Sequence, residues 1–437
     1  MESTHWATAS DLPPELVDEI LTYIANDTTD LRTCSLFTPT WTQSSRAYLF
    51  RAVDIHPIKV VSKEEGAGTI FDTEASLARV QTLHDALVRC PYIGGLVQHL
   101  SFSLDSASCA PDTPLAPLLA DVFRRLHAVQ SLTLEDIIWD GLAADVRDAL
   151  TSVLVLPSLS FLSLSRLTFP TFVDLALLVG RLGPGPKQLA VGDIVYHAAV
   201  NEAVREQFES LNARPVADRP TLAALTETSP AMRGAEFGAL ANWLASGYGC
   251  VEARKVERIS ASWSSLSMFL PLVHASRLAL RELQLCALVD LSLSPSGNPP
   301  IALADLPALE VLVLVNNQVD TYDAAPWLAA FLDSRAGPTA LVRIGMRLVP
   351  PRRWHLDPED HAPLSMYDYA PWTEVDRVLS EGAADFPALK ELNFELANPM
   401  GMDVVRGVKM DAGMLHSAMA KMREKGILRV YGSGVKR

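Results

Sequence analysis

Beyond residue 90 the sequence repeats one motif, Leu-x-x-Leu-x-Leu, which we call the hydrophobic phrase. Apolar and polar residues alternate at the end of each copy. Alternation with a period of two predicts a short strand that buries one face. The clearest copies are centred on Leu100, Leu132, Leu162, Leu283, Leu312 and Leu392. Weaker copies are centred on Leu189, Leu225, Ile259, Ile344 and Leu428. Each copy is predicted to form one strand.

Segments with helical spacing lie between these phrases, at 115–126, 145–153, 172–182 and 237–244. Strands that alternate with helices indicate either a doubly wound parallel sheet or a stacked solenoid, and the fold class is therefore α/β. The central residues of the first four phrases lie 32, 30 and 27 residues apart. This regular interval favours stacked repeats, and the Gly-rich phosphate loop expected of a doubly wound domain is missing.

The first part of the chain, residues 11–55, shows a different and purely helical pattern. Its apolar residues share one helix face at Leu16, Ile20, Leu21 and Ile24. Pro13 and Pro14 suit the first turn of that helix, where a missing N–H costs nothing. Chains of this length fold only marginally alone, so the segment is predicted to dock on something else.

The order of residues in 11–55 resembles the F-box, the helical module that binds the adaptor Skp1 in ubiquitin ligases of the SCF type. The family's opening Leu-Pro-x-Glu-Leu matches Leu12, Pro13, Glu15 and Leu16, and later positions match Cys34 to Leu36, Trp41, Leu49 and Phe50. The resemblance implies Skp1 contacts at Leu12, Pro13, Leu16, Ile20, Leu21 and Trp41. Pro39 departs from the family pattern and is expected to shorten the second helix. The alternative is a helical hairpin without a partner.

The array that follows resembles irregular leucine-rich repeats of the kind found behind many F-boxes. The copy that starts at Leu309 ends with the family's Asn, at Asn317, whereas other copies carry Ile137, Leu167, Ile194 or Leu288 there. The resemblance implies a solenoid with parallel strands on the concave face and helices on the convex face. A set of unrelated core strands is the alternative. The predicted organisation is a tail at 1–10, the F-box-like module at 11–55, a connecting helical segment at 56–95 and the array at 96–437, with a long insertion at about 348–385.

Composition narrows the partners and the compartment. The net charge of −14 disfavours nucleic acid, because phosphate binding needs clustered Lys and Arg. The five cysteines are odd in number and never form Cys-x-x-Cys, which suits a reducing compartment. With no secretory leader pattern and no run of roughly 20 apolar residues, no membrane association is expected, and the predicted location is the cytoplasm, the nucleus or both.

A search for catalytic chemistry finds little. The chain has no Gly-x-Ser-x-Gly, no Gly-x-x-x-x-Gly-Lys-Ser/Thr and no His-x-x-x-His, so no catalytic residue, cofactor or metal ion is predicted. Trp, Tyr and Arg dominate binding energy at interfaces, which makes those in the interruptions of the array candidate substrate contacts. They are Trp263, Arg352, Arg353, Trp354, Tyr367, Tyr369 and Trp372. A buried core Trp at 263 and a loop packed by its own aromatics at 348–385 are the alternatives.

An N-terminal module that needs an adaptor thus precedes an array that needs a ligand. The two resemblances imply a non-catalytic substrate-recognition subunit of an SCF-type E3 ubiquitin ligase, in which the F-box binds Skp1, and through it a cullin, while the repeats bind a protein substrate. Two alternatives stay open. The chain is either an F-box scaffold that works outside ubiquitination, or a leucine-rich-repeat interaction protein whose helices only cap the solenoid.

Overall fold

Helices and strands alternate along most of the chain in a computed structural model of the protein. The structure describes residues 12–60, 70–104, 109–196, 219–228, 234–246, 251–262, 265–286, 299–316, 324–348, 370–396 and 412–432. The helices in these ranges are α1 (Pro14–Tyr23), α2 (Thr28–Cys34), α3 (Pro39–Leu49), α4 (Thr73–Arg89), α5 (Leu115–Arg125), α6 (Ala144–Leu154), α7 (Phe172–Gly180), α8 (Gly234–Ala245), α9 (Leu266–Ser276), α10 (Ala324–Asp333), α11 (Ala370–Glu381), α12 (Ala412–Ala418) and α13 (Ala420–Glu424).

Most of the strands are short, and most of them coincide with one copy of the hydrophobic phrase. They are β1 (Ala52–Ile55), β2 (Ile58–Val60), β3 (Ile70–Asp72), β4 (His99–Phe102), β5 (Ser131–Glu135), β6 (Phe161–Ser165), β7 (Thr168–Phe169), β8 (Pro186–Gly192), β9 (Val195–Tyr196), β10 (Thr221–Glu227), β11 (Arg258–Ser262), β12 (Glu282–Cys286), β13 (Val311–Asn316), β14 (Arg343–Leu348), β15 (Glu391–Leu396) and β16 (Leu428–Gly432).

Twelve strands form a parallel sheet, which makes this an α/β protein. Their order is β1-β4-β5-β6-β8-β10-β11-β12-β13-β14-β15-β16, so the strands of this sheet lie side by side in the order in which they occur along the chain. Because crossovers between parallel strands are right-handed, an order that never reverses places the described connecting helices on one face of the sheet. The other face is left for solvent or a partner. The hairpin β2–β3 and the pair β7–β9 lie outside this sheet.

Both levels of the predicted pattern are confirmed in the described residues. Each of the eleven hydrophobic phrases coincides with a strand of the sheet, and each of the four predicted helices coincides with α5, α6, α7 or α8. The remaining sheet strand, β1, was not predicted. It lies at the end of the predicted helical module and pairs in parallel with β4.

The chain divides into two compact units, and the first comprises Met1–Lys187 with Ile194–Val204. Its core is built in rows by the parallel register. Leu100 lies opposite Leu132, which lies opposite Leu162, and all three are buried. The next row, two residues further along each strand, is also apolar. There the Phe102 ring meets the Phe123 ring of α5 edge to face, with centroids 5.2 Å apart.

The residue after each of three strands has a left-handed backbone. Asp136 follows β5, Arg166 follows β6 and Asp193 lies just beyond β8, with φ of 55°, 51° and 51°. This conformation costs an L-residue about 1–2 kcal/mol, so its recurrence marks a turn that the repeats share. The Arg166 guanidinium spans two of these turns, since it donates to both the Asp136 carboxylate, 2.9 Å away, and the Glu135 carboxylate.

The second unit comprises Gln188–Asp193 and Arg205–Arg437. Its buried rows follow the same rule as those of the first unit. One row joins Ile259, Leu283, Leu312, Ile344 and Leu392 by parallel register. Consecutive helices pack against each other, as α8 does on α9 and α10 on α11. The carboxylate of the buried Asp376 on α11 accepts the Met422 N–H at 2.9 Å, which ties α13 to its neighbour.

Candidate functional site

The helices α1, α2 and α3 form a small module with a core of its own. Val17, Leu21, Leu31 and Trp41 are buried together at its centre. Partly buried apolar residues surround them, namely Leu12, Ile24, Cys34, Tyr48 and Leu49. Burial, followed by the charge of Asp30, raises the pKa of the Cys34 thiol, which keeps that thiol protonated at neutral pH.

Local capping sets the ends of these helices. The Asp27 carboxylate accepts the N–H groups of Thr29 and Asp30, at 2.9 and 3.0 Å, and so begins α2. That helix ends at Cys34, and Pro39 occupies the first turn of α3, where its missing N–H is tolerated. The expectation that Pro39 shortens the second helix is consistent with this arrangement.

Five large apolar side chains of the module face solvent, and we call them the exposed apolar set. Leu16, Ile20 and Tyr23 lie on one face of α1, at 46%, 39% and 82% exposure. Leu36 and Phe37 lie between α2 and α3, at 83% and 58% exposure. The Phe37 ring meets the Trp41 ring edge to face at 5.7 Å, so the set borders directly on the core.

The structure separates the residues predicted to contact Skp1 into two groups. Pro13, Leu16 and Ile20 are exposed, and Leu12 is partly exposed. Leu21 and Trp41 lie inside the module at 0% and 5% exposure, where they hold the helices together instead of facing a partner. An amphipathic pattern shows that a helix has an apolar side, but two adjacent apolar stripes do not reveal which one is buried.

Sequence reasoning did not single out three members of the exposed apolar set, Tyr23, Leu36 and Phe37, as candidate contact residues. Tyr23 continues the stripe of Leu16 and Ile20 at a spacing of three, which was a usable signal. Leu36 and Phe37 follow the end of α2, and nothing in their spacing distinguishes exposed from buried residues. Their exposure becomes visible only once the turn before Pro39 is placed.

The module is joined directly to the sheet of the first unit. Only Phe50 and Arg51 separate α3 from β1. The Arg51 carbonyl accepts the N–H groups of Gln98 and His99, both at 2.9 Å, which continues the pairing of β1 with β4. The Arg46 guanidinium also donates to the Tyr92 hydroxyl at 2.6 Å. The module therefore has fixed contacts with the edge of the sheet.

Most of the candidate substrate contacts lie outside the described residues. These are Trp263, Arg352, Arg353, Trp354, Tyr367 and Tyr369. Trp372 is described, and it lies on α11 at 7% exposure, with its ring 4.9 Å from that of Phe394. Trp372 is therefore a core residue of the second unit, not an exposed contact. Its helix lies within the segment 348–385, which was predicted as an irregular insertion.

The face of the sheet opposite the helices is open only along some strands. On β10 and β11 the outward residues Ala224 and Ser260 are buried. Along β5, β6 and β12, buried residues alternate strictly with half-buried ones. Parallel sheets are usually covered on both faces, so the partly open strands of this sheet offer surface to a partner. In the first unit this face carries small polar side chains such as Ser101, Thr133 and Ser163.

In the second unit the strand starts carry charged pairs. The Arg258 guanidinium lies 2.7 Å from the Glu282 carboxylate of the neighbouring strand, and that of Arg429 lies 3.5 Å from Glu391. Exposed pairs of this kind contribute little to stability, typically about 0–1 kcal/mol. They add charge to the outward side of this unit at the strand starts.

One buried polar cluster has the residue types of a catalytic site but not its setting. The Ser265 hydroxyl donates to the Glu227 carboxylate and accepts from the Ser262 hydroxyl, each at 2.8 Å, and all three residues are buried. Glu227 also accepts the Ser262 N–H. The cluster lies at the start of α9 and satisfies its own polar groups, as buried polar groups in folded proteins usually do.

Neither a metal centre nor a membrane span is found within the described ranges. There, no three His, Cys, Asp or Glu side chains come together in a way that could hold a metal ion. None of the helices described is long and apolar enough to cross a bilayer. Comparison with known proteins gives no match, either to a protein-family model or to a curated protein.

Proposed function

We propose that the protein is a substrate-recognition subunit of an SCF-type E3 ubiquitin ligase. In this proposal the helical module is an F-box that binds a Skp1-like adaptor, and through it a cullin, while the sheet-bearing part binds a protein substrate. The chain itself makes and breaks no bond. It would act by proximity, since holding substrate lysines near a charged conjugating enzyme raises their effective concentration.

The exposed apolar set carries the proposal. Large apolar side chains that face solvent together mark interaction surfaces, and helices often bind partners through residues spaced three and four apart. Leu16, Ile20 and Tyr23 have this spacing on α1. Leu36 and Phe37 add apolar surface beside the core of the same module. A Skp1-like adaptor would remove these five side chains from water.

The capping alternative fits the same surface less well. The direct step from α3 to β1 would suit helices that cover the end of a solenoid. A terminal cap, however, needs a polar outer face to keep the array soluble. Five exposed apolar residues do the opposite, so we favour docking over capping.

We further infer that the parallel sheet is an irregular leucine-rich-repeat solenoid. The support is its sequential strand order, the alternation of buried with half-buried residues along β5, β6 and β12, and the recurrent left-handed residue after β5, β6 and β8. In such an array each repeat completes the core of its neighbour, and the strands present a long surface. We assign the protein substrate to that surface.

Adaptor binding can be tested with a matched pair of variants. Leu16→Asp/Ile20→Asp is expected to weaken co-purification of a Skp1-like adaptor at least about tenfold, because the charges disrupt an apolar interface. Val88→Asp/Val155→Asp changes two residues of similar exposure, 45% and 49%, elsewhere in the first unit and should leave binding intact. Equal adaptor binding by both variants would show that the exposed apolar set is not the docking surface.

The same co-purification experiment distinguishes a ubiquitin-ligase subunit from an F-box scaffold that works outside ubiquitination. If the protein works in ubiquitination, a cullin should co-purify with the adaptor from cells that express the full chain. An F-box scaffold outside ubiquitination would retain the adaptor without a cullin.

A further inference from the structure

The open face of β13 and β14 differs in composition from the rest of the described sheet. The residues of β13 on this side of the strand are all apolar: Val311 and Val313 are half-buried, and Val315 is buried at 8% exposure. By parallel register they lie opposite Arg343, Gly345 and Arg347 of β14. An apolar stripe therefore runs beside a strand that carries an arginine at each end and no side chain in the middle.

Gly345 leaves a shallow depression in this surface. The nearest atoms to a Cβ built on it would be the Val313 methyl carbons, at 3.6 and 3.8 Å, and the Leu312 carbonyl oxygen, at 3.9 Å. These are ordinary contact distances, so the glycine is not required by crowding. Its effect is to leave room beside Val313 for an apolar side chain from another molecule.

The two arginines are available for an external anion. Both side chains are exposed, and neither forms an ion pair with another described residue. The nearest acid in register with Arg343 is Glu391, which already pairs with Arg429 at 3.5 Å and accepts the Asn393 amide at 3.2 Å. In a chain with a net charge of −14, two uncompensated guanidinium groups on one strand are a local exception.

The remaining acid near this strand limits where a ligand can lie. Glu395 lies opposite Arg347 on β15 and is exposed. An anionic ligand would be repelled on that side of β14. It is therefore expected to lie towards β13, over the valines.

We propose that this surface binds an extended acidic peptide segment of a partner protein, with an apolar side chain in the depression at Gly345 and carboxylates on Arg343 and Arg347. Four residues of extended chain separate the two arginines by about 13 Å, since a strand rises about 3.3 Å per residue. An extended peptide that runs along β14 matches this with acidic residues four positions apart. The recognised pattern is acidic-x-apolar-x-acidic, with all three side chains on one face of the peptide.

This inference depends on the proposed function only for the identity of the peptide as part of a ubiquitination substrate. Peptide binding at this surface does not depend on adaptor binding, because the surface is formed by β13 and β14 of the second unit and includes no residue of the helical module. The two can therefore fail separately. A chain that binds the peptide but no Skp1-like adaptor would overturn the proposed function and support this inference.

The test uses the full chain and a fluorescein-labelled peptide, Ser-Glu-Ser-Leu-Ser-Glu-Ser, with binding measured by anisotropy. The peptide with both Glu replaced by Gln is expected to bind at least about tenfold more weakly, because charge-assisted pairs with Arg are lost. Binding of the Glu peptide should weaken as salt rises from about 50 to about 300 mM, since both arginines are exposed to screening.

Matched variants locate the site. Arg343→Gln/Arg347→Gln should lower affinity for the Glu peptide at least about tenfold. Arg277→Gln/Arg423→Gln removes the same charge from exposed residues on the helical side and should change affinity less than about twofold. Glu395→Gln should strengthen binding, because it removes the opposing charge. The proposal is overturned by a failure to bind the Glu peptide, by equal binding of the Glu and Gln peptides, or by equal losses in the two double variants.

Discussion

At the scale of single residues, Lys187 is the least compensated charge in the described core. Its side chain is 2% exposed, and its ammonium donates to the Leu159 carbonyl without an ion pair to any described carboxylate. Burial lowers the pKa of this amine, because the charged form is the one that loses hydration. A charge held in this way makes stability depend on pH.

We expect the Lys187→Met variant to expose that dependence. In the wild type the folded chain has the lower lysine pKa, so between that pKa and the ordinary value of 10.5 the unfolded chain binds more protons. The free energy of unfolding of the wild type should therefore rise with pH, relative to the variant, as the pH approaches 10.5. Urea unfolding of both proteins at about pH 7 and about pH 10 measures this difference. A difference that is the same at both pH values would contradict it.

At the scale of elements, some apolar residues of the helical module form its core, and others face solvent. Trp41 and Leu21 are inside, and Leu16 and Ile20 are outside, although all four were predicted as contacts of one kind. Substitutions in the two groups should therefore affect different properties of the module.

Trp41→Ala should destabilise the module by about 3–5 kcal/mol, the usual cost of removing a buried Trp side chain. Because the core holds only four fully buried residues, amide exchange in α1, α2 and α3 should accelerate. Leu16→Asp should leave that exchange unchanged, since Leu16 is 46% exposed. Hydrogen-exchange mass spectrometry of the two variants distinguishes these effects. Accelerated exchange in Leu16→Asp would show that the side chain supports the fold.

The sequence predicted the positions of helices and strands far better than it predicted which side chains are exposed. Alternation around each central Leu or Ile was enough to locate eleven strands, because the pattern and the buried row have the same period of two. It failed for β1, where Val53 and Ile55 give only two inward positions directly after a helical pattern. Trp372 was misjudged because its aromatic-rich surroundings hid a helix whose buried residues, Trp372, Val375 and Val378, recur every three positions.

The candidate surfaces were predictable only in part. The F-box-like motif pointed to α1, but the solvent-facing stripe depends on how α1 packs on α3, which is a tertiary contact. The stripe of valines beside Arg343 and Arg347 requires the register of β13 with β14. These two strands lie about 30 residues apart in the sequence, and their register is set by the packing of the whole sheet. It therefore cannot be predicted from a local sequence pattern.

At the scale of the whole molecule, the second unit is built of rows in which each strand contacts its neighbours. Phe394 lies in one such row on β15, between Met346 and Val430, and is fully buried. If the unit is a stacked array, as proposed above, damage at this position should spread along the row and weaken with distance, because each strand would be stabilised mainly by the adjacent ones.

Phe394→Ala should cost about 3–5 kcal/mol and speed amide exchange most in β14, β15 and β16. The effect should fall through β13 and β12 and be smallest in β10 and β8, towards the other end of the unit. Hydrogen exchange followed strand by strand provides the measurement. Uniform acceleration from β10 to β16 would instead indicate one indivisible cooperative core.

The left-handed residues Asp136, Arg166 and Asp193 also bear on how such a chain can evolve. At each of these three positions, after β5, β6 and β8, the backbone takes the same left-handed conformation, although the residue is an acid in two cases and a base in the third. Segments between successive strands can therefore lengthen or shorten while the direction of exit is preserved. Outward-facing positions can therefore change without any rebuilding of the interior.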